Sequence, residues 1–206
     1  MASNSNMTQL SAIHGHSAFL NIKAASMPAP NGGDVGVVIR ELTHQGKLNI
    51  RCDNKFHTQL SKVVGLDTAA ANNHFQATTS RFAIWLAPDE TMILTEAGAE
   101  TALAKQISDA AGKAHISVND VTDAMTSLHL KGANIRDMLA KGCALDLHPA
   151  HFTKGQCAQT TLSHAGVTIL ALADDEMILI CRTSFIDYVV SYLCDAALEY
   201  GYELKA

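Results

Sequence analysis

Four side chains in one short stretch could hold a metal ion. Cys143, His148, His151 and Cys157 bring two thiols and two imidazoles close in sequence, the donor set that zinc uses. Their spacing, C-x4-H-x2-H-x5-C, matches no recognised zinc knuckle, and Pro149 sets a turn beside the histidines. Surface histidines next to two buried thiols describe the stretch more simply. Other chemistry is thinner. No serine or cysteine sits in a strand-to-helix elbow between glycines, and neither G-x-G-x-x-G nor G-x-x-x-x-G-K-[ST] occurs, so no nucleotide cradle is visible. Asp174-Asp175-Glu176 lacks the further spaced oxygens of a calcium loop and reads as a solvated turn. Trp85, the single tryptophan, lies within FAIWLA and is expected in the core rather than stacked on a flavin. No catalytic, cofactor-binding or metal-ligating residue is therefore assigned.

The composition narrows the function class. The chain has 206 residues, enough for a full core in one domain or two small lobes. Charged residues make up 17%, against ~25% in typical usage, and a surface short of charge suits an interface. Fifteen Lys and Arg are scattered without a basic run and the formal net charge is -5, which excludes an electrostatic nucleic-acid binder. The opening MASNSNMTQL has neither a positive n-region nor an apolar h-region, and the longest apolar run, 167–173, is far below the ~18 residues of a membrane helix. Five cysteines, an odd number with no C-x-x-C, fit reduced thiols. A cytoplasmic protein is expected, with no membrane and no nucleic-acid partner.

The elements that would position any site are clearest at 121–147. Residues 124–130 alternate with Thr126, Leu128 and Leu130 on one side, and Lys131-Gly132 ends the strand. Ile135, Met138 and Leu139 then share a helical face over 133–141, with Gly142 placed as a positive-φ helix stop. Upstream, 1–33 reads as a leader ordered by a partner, closed by the breakers Pro28, Pro30 and Asn31-Gly32-Gly33. Segments 36–42 and 47–52 read as a hairpin, Asp53 or Asn54 as the cap of a helix to Val64, and 66–80 as a loop. A second hairpin, 81–87 with 91–96, turns at Pro88-Asp89-Glu90 and precedes a helix over 99–111. Downstream, 156–162, 167–173 and 176–181 read as strands, and Thr183 or Ser184 caps a last helix reaching Tyr200, with Ile186, Val189, Val190 and Leu193 on its apolar face.

Two of these units echo each other. The hexapeptides starting at Asp89 and Asp174 lie 85 positions apart and agree at four of six residues, and the helices that follow end in Ser108-Asp109-Ala110-Ala111 and Cys194-Asp195-Ala196-Ala197. Duplicated β-β-α modules follow, in an α+β fold with helices packed on antiparallel sheets. The boundaries are a flexible leader over 1–34 and a domain over 35–206, in two pseudo-repeated lobes of about 35–112 and 113–206.

RFAIWLAPDE at 81–90, Asp120-Val121-Thr122, Leu130-Lys131-Gly132, Leu139-Ala140-Lys141-Gly142-Cys143, Asp146-Leu147, Gly155-Gln156-Cys157 and Arg182-Thr183-Ser184-Phe185 stand in an order that resembles the gamma-subunit family of heterotetrameric sarcosine oxidase. The sequence departs from that pattern at Thr91-Met92, where the family usually has an aromatic or aliphatic pair. The resemblance implies a folate-binding domain like that of aminomethyltransferases. It also implies a non-catalytic subunit of a complex that oxidatively demethylates sarcosine to glycine, passing the methyl carbon to tetrahydrofolate or releasing formaldehyde. The partners implied are alpha, beta and delta subunits, and FAD, FMN, NAD, zinc and tetrahydrofolate are implied for those partners, none for this chain.

Within that resemblance, Asp120-Val121-Thr122 is similar to the Asp-Val-Ser segment of aminomethyltransferases. Their catalytic aspartate, in a Gly-apolar-apolar-Asp-Asp stretch, is replaced here by Gly166-Val167-Thr168-Ile169-Leu170, which leaves no proton acceptor for a substrate amine. A stand-alone folate- or metal-dependent enzyme is the competing function, and a sister complex acting on another N-methylated amine is a third. The strand and helix phases place Leu128, Leu130, Ile135, Leu139, Ile178 and Trp85 inside, and Arg136, Asp137 and Lys141 outside. Amide hydrogen exchange should accordingly be slow across 124–139, and rapid opening there would sink the assignment.

Overall fold

The computed structural model describes residues 16–30, 32–69 and 71–205. Along them run β1 (Ala25–Met27), β2 (Val37–Glu41), β3 (Gly46–Cys52), α1 (His57–Val64), β4 (Phe75–Ala77), β5 (Phe82–Ala87), β6 (Glu90–Thr95) and α2 (Glu100–Ala111). There follow β7 (Ile116–Asp120), β8 (Met125–Lys131), α3 (Ile135–Ala140), β9 (Cys157–Leu162), β10 (Ala165–Ala173), β11 (Glu176–Arg182), α4 (Ile186–Ala196) and β12 (Tyr202–Lys205). Seven strands form one sheet in the order β1-β12-β2-β8-β11-β10-β9, and five form another in the order β4-β5-β6-β3-β7. The pairings are antiparallel apart from β12 with β2. The fold is thus α+β with antiparallel sheets, as the repeated hairpins require.

Side-chain alternation along the strands sets the layers. In β11, Met177, Leu179 and Cys181 pack with Ile135, Met138, Leu139, Val189 and Leu193 of α3 and α4. Ile178 and Ile180, on the other face, meet Ile84, Leu86, Met92 and Leu94 of the five-stranded sheet. That sheet in turn presents Leu48, Ile50 and Ile93 to Leu60 of α1 and to Leu103 and Ile107 of α2. The order is helices, sheet, sheet, helices. Both faces of β6, β10 and β11 are largely buried, which is why these strands read as mostly apolar runs rather than alternating ones.

The expected hairpin over 36–52 does not form. β2 leaves its chain neighbour and pairs with β8 in the seven-stranded sheet, Ile39 opposite Leu130, while β3 pairs with β6 and β7 in the other. The same happens one repeat later, where β7 pairs with β3 and β8 with β2. Each half of the chain therefore lends its leading strand to the other half's sheet. β7 and β12 escape the sequence reading, as does β4, which lies inside the segment read as a loop. All three are short, and Ile116, Val118 and Leu204 are too few to set a period.

The structure also shifts the repeat by one residue. Both hairpins carry an irregularity just before the turn, with Ala87 opposite Glu90 in one and Ala173 opposite Glu176 in the other, a spacing of 86 rather than 85. The helix echo, Asp109 to Asp195, already had that spacing. At 85, Met92 would match Met177, yet Met92 faces between the sheets and Met177 faces the helices, because one residue of slip inverts a strand. In true register the polar contacts repeat as well. Glu90 accepts from Asn49 Nδ2 (2.7 Å) and Arg51 Nη2 (2.6 Å), and Glu176 is held by His129 Nε2 (2.7 Å) and Lys131 Nζ (3.7 Å).

Several local expectations change. Arg136 is 9% exposed, not on the surface, because its guanidinium donates to the carbonyls of Leu147, Phe152 and Asp174 and fastens the 147–152 turns to α3. Trp85 is half-buried, while Leu128, Leu130, Ile135, Leu139 and Ile178 are buried and Asp137 and Lys141 exposed as expected. Gly142 is not a left-handed cap. A Cβ there would lie 2.1 Å from Tyr192 Oη, so its role is to let α4 approach. Asp53 Oδ1 caps the turn before α1, accepting from the backbone of Lys55 and Phe56. A 3-10 turn (Thr183–Phe185) precedes α4, which stops at Ala196 so that β12 can return to the sheet.

Residues 1–15 of the expected leader lie outside the described residues. From Ser17 onward it docks on this chain: Phe19 is buried in the helix-side core and β1 pairs with β12. Replacing Arg136 with Ala leaves buried carbonyls without donors, and urea denaturation should show a loss of roughly 3 kcal/mol. Asp137→Ala, one residue on and exposed, should change stability by less than about 0.5 kcal/mol.

Candidate functional site

Polar side chains gather inside this fold where the two exchanged strands cross. The Leu42 N–H donates to Ser127 O (2.9 Å) and the Val121 N–H to Lys47 O (2.9 Å), so the β2–β3 and β7–β8 connections lie side by side as pseudo-symmetric partners. Thr122 Oγ1 accepts from the Lys47 N–H at 3.0 Å and adds a side-chain tie. Between the connections is a cavity of about 80 Å³, lined by Glu41, Gln45, Lys47, Asp123, Thr126 and Ser127 among others.

Lys47 dominates the electrostatics of this cavity. It is 3% exposed, and its Nζ donates to Gln45 O at 2.7 Å. Burial pushes its pKa down to about 8, against the opposing pull of Glu41, Asp123, Asp120 and Glu100. Glu41 is occupied elsewhere, accepting from Ser17 Oγ and from the Ala18 N–H (3.0 Å), which pins the start of the described chain at the cavity's edge. Ser127 Oγ and Gln45 Oε1 are buried without a hydrogen-bond partner among the described residues. Thr126 and Thr183 share a hydroxyl–hydroxyl bond of 3.0 Å. The segment Asp120-Val121-Thr122, singled out from the sequence, borders this cavity, but no sequence signal pointed to Lys47 or Ser127. Period-2 alternation puts Lys47 on the polar face of β3 with Asn49 and Arg51, and only the crossing of the connections covers it.

The residues singled out from sequence are dispersed. Cys143 lies in the helix-side core and Cys157 between the sheets, with the Cys157 thiol donating to Trp85 O (3.4 Å) and pushed by burial up to about 11. His148 and His151 are exposed, and His151 pairs with Asp146. The two thiols thus lie on opposite faces of one sheet and the four donors do not converge. Asp174 and Asp175 make the β10–β11 turn, and their carbonyls accept from Arg136 Nε (2.8 Å) and the Gly132 N–H (2.9 Å). Ile169 and Leu170, in the stretch aligned with the transferase carboxylates, are fully buried on opposite faces of β10. The Asp120 carboxylate accepts from the Thr122 N–H (3.0 Å).

Comparison with known proteins first defines the class. The fold superposes with a TM-score of 0.63 on the glycine cleavage system aminomethyltransferase T from Bartonella henselae, at 14% identity over 88% of this chain and 55% of that one. It is an aminomethyltransferase-like fold. A chain of the heterotetrameric sarcosine oxidase from Corynebacterium sp. U-96, in complex with pyrrole 2-carboxylate, superposes with a TM-score of 0.80 at 24% identity, over 90% of this chain and 96% of that one. Residues 50–199 match the model of the sarcosine oxidase, gamma subunit family, and the chain belongs to that family. Among its relatives, sarcosine oxidase subunit gamma of Corynebacterium sp. (strain U-96) is 27% identical over 88% of this chain and 89% of that protein. The subunit gamma of Corynebacterium sp. (strain P-1) is 32% identical over 58% of each.

The resemblance to aminomethyltransferases raises folate as a ligand, but the crossover cavity does not fit one. About 80 Å³ is well below the ~300 Å³ at which pockets for drug-sized ligands begin.

The Lys47 amine gives the cavity a pH signature. Below about pH 8 the amine is charged in both the folded and unfolded states, and the penalty for burying that charge is fully present. As the pH rises from 8 towards 10.5 the folded state releases its proton first, the unfolded chain binds more protons, and stability rises. Wild type should therefore gain up to about 3 kcal/mol relative to Lys47→Met across that window. Chemical denaturation of both proteins at several pH values reads the difference, and a flat difference would refute the assignment.

Proposed function

We propose that this chain is the gamma subunit of a heterotetrameric sarcosine oxidase, in the cytoplasm, and that it contributes structure rather than an active site. The partners in this reading are the alpha, beta and delta subunits, which carry FAD, FMN, NAD, zinc and tetrahydrofolate, while this chain carries none. The observation that bears most weight is the match to the gamma-subunit family over 50–199, joined to a superposition that spans nearly all of both chains. Supporting it, Ile169 and Leu170 fill hydrophobic core in the stretch aligned with the carboxylates of aminomethyltransferases.

The surface suits a broad contact. Leu20, Met27, Phe185, Tyr188 and Leu198 are large apolar side chains left exposed, on a chain with 17% charged residues. Exposed apolar and aromatic area on a charge-poor surface is characteristic of subunit interfaces. An obligate interface of this type buries roughly 2,000 Å² or more in total.

Expression with and without the partner subunits tests the reading. The isolated chain should be colourless and should consume no oxygen with sarcosine, whereas the co-expressed chains should purify together, be yellow and turn over. A yellow or active isolated chain, or a failure to co-purify, would overturn it.

A further inference from the structure

We propose that the crossover cavity is a capture site for a small aldehyde, with the Lys47 amine as the group that bonds to it. Lys47 Nζ has three hydrogen positions and uses one, on Gln45 O. No carboxylate of the described residues forms an ion pair with it. Ser127 is fully buried and lines the same cavity, its Oγ without a partner among the described residues, as does Gln45 with its Oε1 likewise unpartnered among them. Buried polar groups of this kind are costly unless something fills the space between them. With about 80 Å³ available, the filler has only a few non-hydrogen atoms.

Charge selects among the electrophiles that an amine attacks. Glu41 and Asp123 line the cavity, as do His16 and His44, and the charges of Asp120 and Glu100 also act on Lys47. Carbon dioxide would leave an anionic carbamate in the field of these four carboxylates. An aldehyde leaves a cationic iminium, which the same carboxylates favour. Burial keeps about half of the amine unprotonated near pH 8, whereas an ordinary lysine is then neutral to well under ~1%.

The step balances without a redox partner. The Nζ lone pair attacks the carbonyl carbon, the C=O π pair moves to oxygen, and a proton passes from the new ammonium nitrogen to that oxygen to give a neutral carbinolamine. The nitrogen pair then expels the hydroxyl, which leaves as water after a second proton transfer, and a C=N bond forms. The sum is amine, aldehyde and one proton giving iminium and water. Ser127 Oγ supplies a hydroxyl for the carbinolamine oxygen, which makes Ser127 a positioning residue.

The test uses the full chain with formaldehyde as the probe, cyanoborohydride as the trap, and site-resolved mass spectrometry of the methylated lysines. At pH 8, Lys47 should be labelled at least about fivefold faster than exposed Lys105. Ser127→Ala should slow Lys47 several-fold and leave Lys105 unchanged. Benzaldehyde, too large for the cavity, should label Lys105 but not Lys47. Labelling of Lys47 no faster than Lys105, or equal labelling of Lys47 by both aldehydes, would overturn the proposal. All of these are read on the chain alone, so the result is independent of whether the subunits assemble.

Discussion

The exchange of leading strands between the two halves of the chain is the constraint on which the rest depends. β8 has a hydrogen-bonded neighbour on the side away from β11 because β2 arrives from the first half, and β3 has one on the side away from β6 because β7 arrives from the second. Without the exchange, two central strands would present open edges, with unpaired backbone groups inside the protein. The paired connections, Leu42 to Ser127 and Val121 to Lys47, close the arrangement around a pseudo-twofold axis. Neither half completes its sheets alone, and the pairings span long sequence separations, a topology that folds slowly.

That symmetry explains features that would otherwise look incidental. Glu90 and Glu176 stand at equivalent positions, each bracketed by a neutral or weakly basic side chain and a strong base from the central strand. There the symmetry breaks: Lys47 occupies the place that Ser127 takes in the other half, so one buried lysine and one buried serine line the same small cavity. Two like lysines there would repel, and two serines would leave no charge. The asymmetry gives the cavity its chemistry.

The four-layer arrangement also bears on the relation to transferases. A strand buried on both faces has no free side for a catalytic carboxylate, and β10 is such a strand, with Ile169 towards the helices and Leu170 towards the other sheet. Restoring a carboxylate there would bury a charge in a close-packed core. What remains available to solvent is a surface low in charge, with aromatic side chains on and beside α4.

The sequence by itself determined the two hairpins at Pro88-Asp89 and Asp174-Asp175, the apolar faces of α3 and α4, and the presence of a repeat, because each depends on residues close together in the chain. It also carried the family resemblance, which the ordered short segments at 81–90, 130–132, 139–143 and 182–185 expressed without any knowledge of the sheets. Tertiary structure alone decided the pairing of β2 with β8 and of β3 with β7, since short strands choose partners through backbone groups that are identical in every residue. It also decided the repeat's register, where an irregularity in each hairpin moved the true spacing from 85 to 86 and inverted the apparent match of Met92 with Met177. Arg136 and Lys47 were unreadable for the same reason. Helical phase or strand alternation assigns each to a polar face, and only segments distant in sequence, 147–152 over one and 121–127 over the other, turn those faces into interior.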